Sequence, residues 1–189
     1  MSRVLGVIGS PRRKGNTHIL VSRILEGARE AGAAVEELFL PDLKIRECDG
    51  CHACREGKEC SKKDDMNDIY PRIIESDVIV FGTPVYWYGP TALIKAFLDR
   101  FVYFERPDSE SKLKGKAAVI VAPFEDTDLE TAAPLVTLFE KSFKYLQMEL
   151  AGKLLVPGVG PKGAVLEKPE CLAEAHDLGR SLARARGGG

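Results

Sequence analysis

Two stretches of the chain carry residue types at spacings that could do chemistry. The first is Gly9-Ser10-Pro11-Arg12-Arg13-Lys14-Gly15-Asn16-Thr17. It follows an apolar run, Val4-Leu5-Gly6-Val7-Ile8, and precedes a segment with helical patterning. A strand feeding a Gly-rich, basic, hydroxyl-bearing loop and then a helix start forms an anion site. Backbone N–H groups converge there, and the helix dipole favours negative charge. Gly9 and Gly15 allow tight turns. Arg12, Arg13 and Lys14 add full charges that a phosphate can pair with. A P-loop would need Lys-Ser or Lys-Thr at its end, but Gly15 is followed by Asn16-Thr17. Gly6-Val7-Ile8-Gly9 lacks the Gly-x-Gly-x-x-Gly dinucleotide pattern. On these residues alone, a phosphate site and a polar turn without a ligand are both open readings.

The second stretch is Cys48-x2-Cys51-x2-Cys54-x5-Cys60. With Cys171 it makes five cysteines in a chain whose start, Met1-Ser2-Arg3, leads straight into a strand pattern. No signal peptide is expected, and the location expected is cytoplasmic. Reduced thiols, metal ligation or redox chemistry then fit better than a disulfide framework.

The elements that must position these residues follow from apolar periodicity. Leu20, Val21, Ile24, Leu25, Ala28 and Ala31 make one face of a helix over 16–32, with Asn16 or Thr17 as its N-cap. Residues 35–40 read as a second strand, and 42–63 are polar, cysteine-rich and without period. A helix over 64–75 has acidic residues in its first turn, and Val78-Ile79-Val80-Phe81 reads as a buried parallel strand. Then comes Thr83-Pro84-Val85-Tyr86-Trp87-Tyr88-Gly89, with a helix opening at Pro90 and a stripe of Leu93, Ile94, Phe97, Leu98, Phe101 and Val102. Residues 105–116 read as loop, 117–122 and 154–156 as strands, 131–148 and 168–185 as helices, and the tail after Arg184 as mobile.

Five strands alternating with helices imply a doubly wound parallel sheet in one domain over 1–186, with the cysteine-rich loop at 42–63. For the order 2-1-3-4-5, ligands sit beyond the carboxyl ends of strands 1 and 3. There the basic loop offers a phosphate site and the 83–89 loop a flat aromatic wall. Three adjacent aromatics cannot all face one core, because successive side chains diverge. The chain has 189 residues and a net charge of −1, which gives no reason to expect nucleic acid or an anionic membrane as partner. No apolar run reaches the ~18 residues of a membrane span.

The residues quoted resemble a known family. The 9–17 loop is similar to the phosphate loop of flavodoxin-like NAD(P)H-dependent FMN reductases. Residues 83–89 with Leu93, Lys95-Ala96-Phe97 and Asp99-Arg100 resemble that family's second flavin loop and its following helix. The cysteine run with Asp64-Asp65-Met66 resembles the compact motif of the iron–sulfur flavoproteins in the same superfamily. The loop after strand 4, Ala122-Pro123-Phe124-Glu125, departs from the Gly-rich loop often found there.

The resemblance implies a flavodoxin-like, three-layer α/β/α fold. It implies FMN held by Ser10, Arg12, Gly15, Asn16 and Thr17 at the phosphate, and by Thr83, Pro84, Val85, Tyr86, Trp87, Tyr88 and Gly89 at the ring. NAD(P)H is the implied co-substrate, and no side chain is required as acid or base because the flavin carries the hydride chemistry. Electron donors and acceptors, small molecules or proteins, are the expected partners, and a homodimer or homotetramer is the expected assembly. For Cys48, Cys51, Cys54 and Cys60 there are five readings. Haem attachment would leave two cysteines spare, zinc would be crowded by three-residue steps, and a disulfide is unsuited to the cytosol. Free thiols near the flavin are a fourth reading. A [4Fe–4S] cubane fits best, because its ligands spread over separate iron corners. Arg55, Lys58, Lys62 and Lys63 are expected to offset its charge, and to lower the pKa of Cys54 and Cys60. A cluster-free FMN or quinone reductase and a flavodoxin-type carrier are the alternatives.

Overall fold

In the central strands successive residues go to opposite faces. Leu5, Val7, Ile79, Phe81, Ala118 and Ile120 pack into one core layer, and Val4, Ile8, Val78, Val80, Val119 and Val121 into the other. That double burial is what a parallel sheet covered on both faces demands. The structure is a computed structural model that describes residues 1–105 and 110–186. Parts of the 105–116 loop and the last three residues of the expected mobile tail lie outside the described residues.

The elements are β1 (Arg3–Ile8), α1 (Asn16–Glu30), β2 (Ala34–Phe39), α2 (Met66–Glu75), β3 (Val78–Gly82), α3 (Ala92–Asp99), β4 (Ala117–Pro123), α4 (Ala133–Tyr145), β5 (Glu149–Val156) and α5 (Pro169–Arg186). The strands form one five-stranded parallel sheet, ordered β2-β1-β3-β4-β5. Helices α1 and α5 cover one face. Helices α2, α3 and α4 cover the other. At Gly179 the backbones of α1 and α5 approach so closely that a Cβ would lie 1.9 Å from the Ile24 carbonyl oxygen.

Several boundaries differ from the sequence-based expectation. The N-cap of α1 is Gly15, in extended backbone, and Asn16 and Thr17 are its first helical residues. Helix α3 opens at Ala92, not Pro90, because the Thr91 hydroxyl caps it by accepting from the Ile94 N–H at 3.3 Å. Its stripe runs on into a 3-10 turn over Arg100–Phe104. Strand β5 begins at Glu149 rather than at residue 154. It is an edge strand whose polar Glu149 and Lys153 interrupt the apolar run. Among the described residues no helix is long and apolar enough to cross a membrane.

Candidate functional site

The carboxyl ends of β1, β3, β4 and β5 open on one crevice. The β1 and β3 ends are locked together: the Gly9 N–H donates to the Gly82 carbonyl at 2.8 Å. The Thr91 hydroxyl donates to the Gly9 carbonyl at 2.5 Å, and the Thr91 N–H donates to the Thr83 hydroxyl at 3.1 Å. Gly9 has to be glycine here, since a Cβ would lie 1.9 Å from Ile94 Cγ1 of α3. Helix α3 is thus pinned by its N-terminal end to the basic loop.

The loop closes on itself before α1. The Gly15 N–H donates to the Arg12 carbonyl at 2.9 Å, and the Arg12 N–H to the Ser10 hydroxyl at 3.2 Å. The opening N–H groups of α1 have no intrahelical acceptor and face the crevice end. Asn16 is a clamp. Its Nδ2 donates to the Val159 and Pro161 carbonyls at 2.8 and 2.9 Å, and its Oδ1 accepts from the Val165 N–H at 3.2 Å. Its side chain therefore braces the β5 loop, and what it can offer an anion is its backbone N–H. Ser10, Arg12, Asn16 and Thr17 line a cavity of about 320 Å³ with Pro84, Val85, Tyr86 and Trp87. The structure brings the two loops together as the strand order requires. Thr83, Tyr88, Gly89 and Gly15 are not in that lining. Thr83 serves the α3 cap, and Gly15 the loop turn.

The sequence reading did not single out Gly160, Lys162 and Val159 after β5, which complete the wall with Pro123, Phe124 and Glu125. Only the register of β5 beside β4 puts them there. Arg12 reaches this wall, its Nη1 donating to the Gly160 carbonyl at 3.3 Å. Lys162 adds a second cation, and Glu125 a carboxylate, where the family's Gly-rich loop is replaced.

The aromatic loop ends in a tight reversal. Tyr86 and Gly89 exchange backbone hydrogen bonds of 2.8 and 3.1 Å. Trp87 and Tyr88 between them have φ of 50° and 63°. Bulky residues adopt this left-handed backbone rarely, at about 1 kcal/mol or more each. Trp87 is 94% exposed and Tyr88 57%. Tyr86 and Trp87 border the cavity, whereas Tyr88 is outside its lining.

The four cysteines line a second cavity of about 250 Å³, with Tyr70, Tyr103 and Arg100. Among the described residues no three Cys, His, Asp or Glu side chains converge closely enough to hold a single ion. The basic residues of this loop are already paired: Arg55 with Glu105 at 2.7 Å, Lys58 with Glu56 at 2.6 Å, Lys62 with Asp49 at 2.5 Å and Lys63 with Glu59 at 3.0 Å. Nor do they lower the Cys54 thiol. Burial pushes it up, and the nearby Cys60 and Cys48 add to that. The expected lowering of the Cys54 thiol by the loop cations is corrected accordingly, while Lys62 lines the cavity. The buried cation at this cavity is Arg100, with Asp64 as its partner at 2.7 Å. Burial opposes the charge on Arg100, but Asp64, Tyr70 and Cys60 outweigh it and hold the guanidinium above its ordinary range. Arg100 was legible as an anomaly: at helical spacing it falls on the apolar stripe of Leu93 and Phe97.

The first crevice opens where the strand order reverses, which is where doubly wound proteins of the flavodoxin-like class hold their ligand. Comparison with known proteins narrows that class. The chain belongs to the NADPH-dependent FMN reductase family, whose sequence profile matches residues 2–148. It is 34% identical over 118 residues to an iron-sulfur flavoprotein of Archaeoglobus fulgidus, covering 62% of this chain and 54% of that relative. It is 34% identical over 119 residues to an iron-sulfur flavoprotein of Methanosarcina thermophila, covering 63% and 62%. The chain thus spans less than two thirds of the length of both. A candidate NAD(P)H-dependent FMN-containing oxidoreductase of Bacillus subtilis, YwqN, is 27% identical over 180 residues, covering 93% of this chain and 96% of that one. Among solved structures, an NAD(P)H:quinone oxidoreductase from Methanothermobacter marburgensis matches with a TM-score of 0.76 at 19% identity, covering 96% of each chain. That likeness concerns the fold.

Proposed function

We propose that the protein is an FMN-dependent NAD(P)H oxidoreductase that passes electrons through a [4Fe–4S] cluster on Cys48, Cys51, Cys54 and Cys60 to an acceptor. The observation that carries the flavin reading is the joining of an anion cradle and an aromatic wall in one cavity. Its volume suits a bound small molecule. The cradle's chemistry fits a phosphate: helix N–H groups, the Ser10 and Thr17 hydroxyls and the cations of Arg12 and Lys162. Bound FMN would supply hydride acceptance and electron release. This chain's residues would bind and orient it. Tyr86 and Trp87 would flank its ring, with Pro84 and Val85 beside them in the same lining.

The cysteine cavity favours a body over an ion. All four cysteines line one cavity, and four ligands at these steps suit a cubane with separate iron corners better than one tetrahedral zinc. We read the chain as one domain over 1–186, acting as a cytoplasmic homodimer or homotetramer with small-molecule or protein redox partners. The exposed Trp87 and Tyr88 favour an assembly, since aromatics of this kind concentrate at interfaces. A cluster-free NAD(P)H:FMN or quinone reductase is the second reading, favoured by the near full-length likeness to the Bacillus subtilis relative.

Anaerobic reconstitution with iron and sulfide tests the proposal. About four irons per chain are expected. They are lost in Cys54→Ala and kept in Cys171→Ala, whose half-buried thiol belongs to the α5 packing. Wild type that binds one zinc tightly, or no iron, would leave the second reading. The flavin half has its own test. Trp87 is the only tryptophan, so adding FMN to apoprotein should quench most of the indole emission. Unchanged emission at saturating FMN would remove the aromatic turn from the site.

A further inference from the structure

The cysteine cavity contains a cation that its own loop does not supply. Arg100, at the end of α3, is 1% exposed, and every nitrogen of its guanidinium is engaged. Nε donates to the Tyr70 hydroxyl at 3.2 Å. Nη1 donates to Asp64 Oδ2 at 2.7 Å and to the Arg46 carbonyl at 3.0 Å. Nη2 donates to Cys60 Sγ at 3.2 Å. A guanidinium has donors only, so the sulfur must be the acceptor. Tyr70 lines the same cavity as that sulfur.

The same pair clasps the loop at its neck. The Arg46 N–H donates to Asp64 Oδ2 at 3.0 Å, while the Arg46 carbonyl is held by Arg100. Cys60 therefore differs from the other three cysteines. Cys51 is exposed and meets Ser61 at 3.1 Å. Cys60 packs against the hydrophobic core and is fixed to α3 through Arg100.

We propose that Arg100 is the positioning residue of the cysteine site: its hydrogen bond to Cys60 fixes that sulfur as the anchored ligand and makes a cluster there easier to reduce. The proposal rests on the [4Fe–4S] reading above. Hydrogen bonds to the ligating sulfurs and net charge are levers on a cluster's potential, and outer partners orient the ligands. One electron entering the site adds one negative charge. The guanidinium keeps its proton and its charge, so no proton needs to move with the electron. A fixed buried cation beside the sulfur favours the state with the extra negative charge.

The test is an EPR-monitored redox titration of the reconstituted full chain. Wild type is compared with Arg100→Lys and with Asp64→Asn/Arg100→Gln. Lysine keeps the charge but not the planar fork. The double variant removes both charges together, so neither is left buried alone. It keeps the test alive where a single variant fails to fold. At a fixed potential the reduced-to-oxidised ratio is expected to fall about tenfold in the double variant, which is 59 mV for one electron. Arg100→Lys should fall between it and wild type. Iron bound in all three proteins with equal potentials would overturn the role of Arg100 alone. A wild type that binds no iron would overturn the cluster reading, and this proposal with it.

Discussion

Arg100→Met is expected to destabilise the protein by about 3–5 kcal/mol, the range found when one member of a buried ion pair is removed. The reason lies less in the lost attraction than in what remains. The Asp64 side chain is 3% exposed, and its partner Arg100 is 1% exposed. Without the guanidinium, a carboxylate stays buried, and the Arg46 carbonyl and Tyr70 hydroxyl lose their donor. Urea unfolding should show a lower midpoint with an unchanged slope. Replacing both residues, as Asp64→Asn/Arg100→Met, should cost clearly less than the single change. An equal cost would mean the loss comes from packing. The pair also has a pH signature. Burial pushes the Asp64 carboxyl up, but the Arg100 hydrogen bond, with the Arg46 and Met66 N–H groups, outweighs it and holds the carboxyl below its ordinary value. A depressed carboxyl stabilises the fold fully above its unfolded value near pH ~3.9. That stability is lost as the pH falls through the lower folded value. Asp64→Asn/Arg100→Met should therefore flatten the acid limb of the stability curve.

Ser10→Ala/Arg12→Ala is expected to weaken FMN binding by about 1.5–3 kcal/mol for each charge-assisted hydrogen bond lost. Calorimetric titration of apoprotein would measure it. The two residues face the same cavity, while Arg12 is otherwise held by one 3.3 Å bond to the Gly160 carbonyl. The fold loses only the Arg12 N–H bond to the Ser10 hydroxyl and the contact with Gly160, so the larger effect should be on FMN. Asn16→Ala is the contrasting variant. Its side chain ties α1 to the Val159 and Pro161 carbonyls and the Val165 N–H. Its first effect should be on thermal stability. FMN affinity equal in wild type and the Ser10/Arg12 double variant would take the phosphate out of this loop.

The sheet was legible in the chain because β1, β3 and β4 are apolar on both faces, a pattern that parallel burial alone requires. The edge strand β5 was legible only in its last three residues, since an edge tolerates Glu149 and Lys153. The meeting of the 9–17 and 83–89 loops followed from strand order. The residues after β5 did not, because nothing local in Val159, Gly160 or Lys162 says which crevice they face. Asn16 shows the limit of reasoning by residue type. An Asn at a helix start suggests a cap or a phosphate contact, yet the long-range carbonyls of 159 and 161 take its side chain. The loop cations show the local counterpart: acids nearby in sequence pair with Lys58, Lys62 and Lys63, and the more distant Glu105 pairs with Arg55.

Helix α3 touches the 9–17 loop at one end through Thr91 and the cysteine cavity at the other through Arg100. This sets an asymmetric rule for length variation. The loop between Cys54 and Cys60 can gain residues cheaply, since doubling a flexible loop costs about 0.6 kcal/mol. A single residue inserted between Thr91 and Arg100 would swing Arg100 by about 100° and advance it by about 1.5 Å. The guanidinium would leave Asp64 and Cys60 while the 9–17 loop stayed intact. Sequences that keep both sites should therefore vary freely in the spacing of their last two cysteines, and hold the nine-residue step from Thr91 to Arg100 constant.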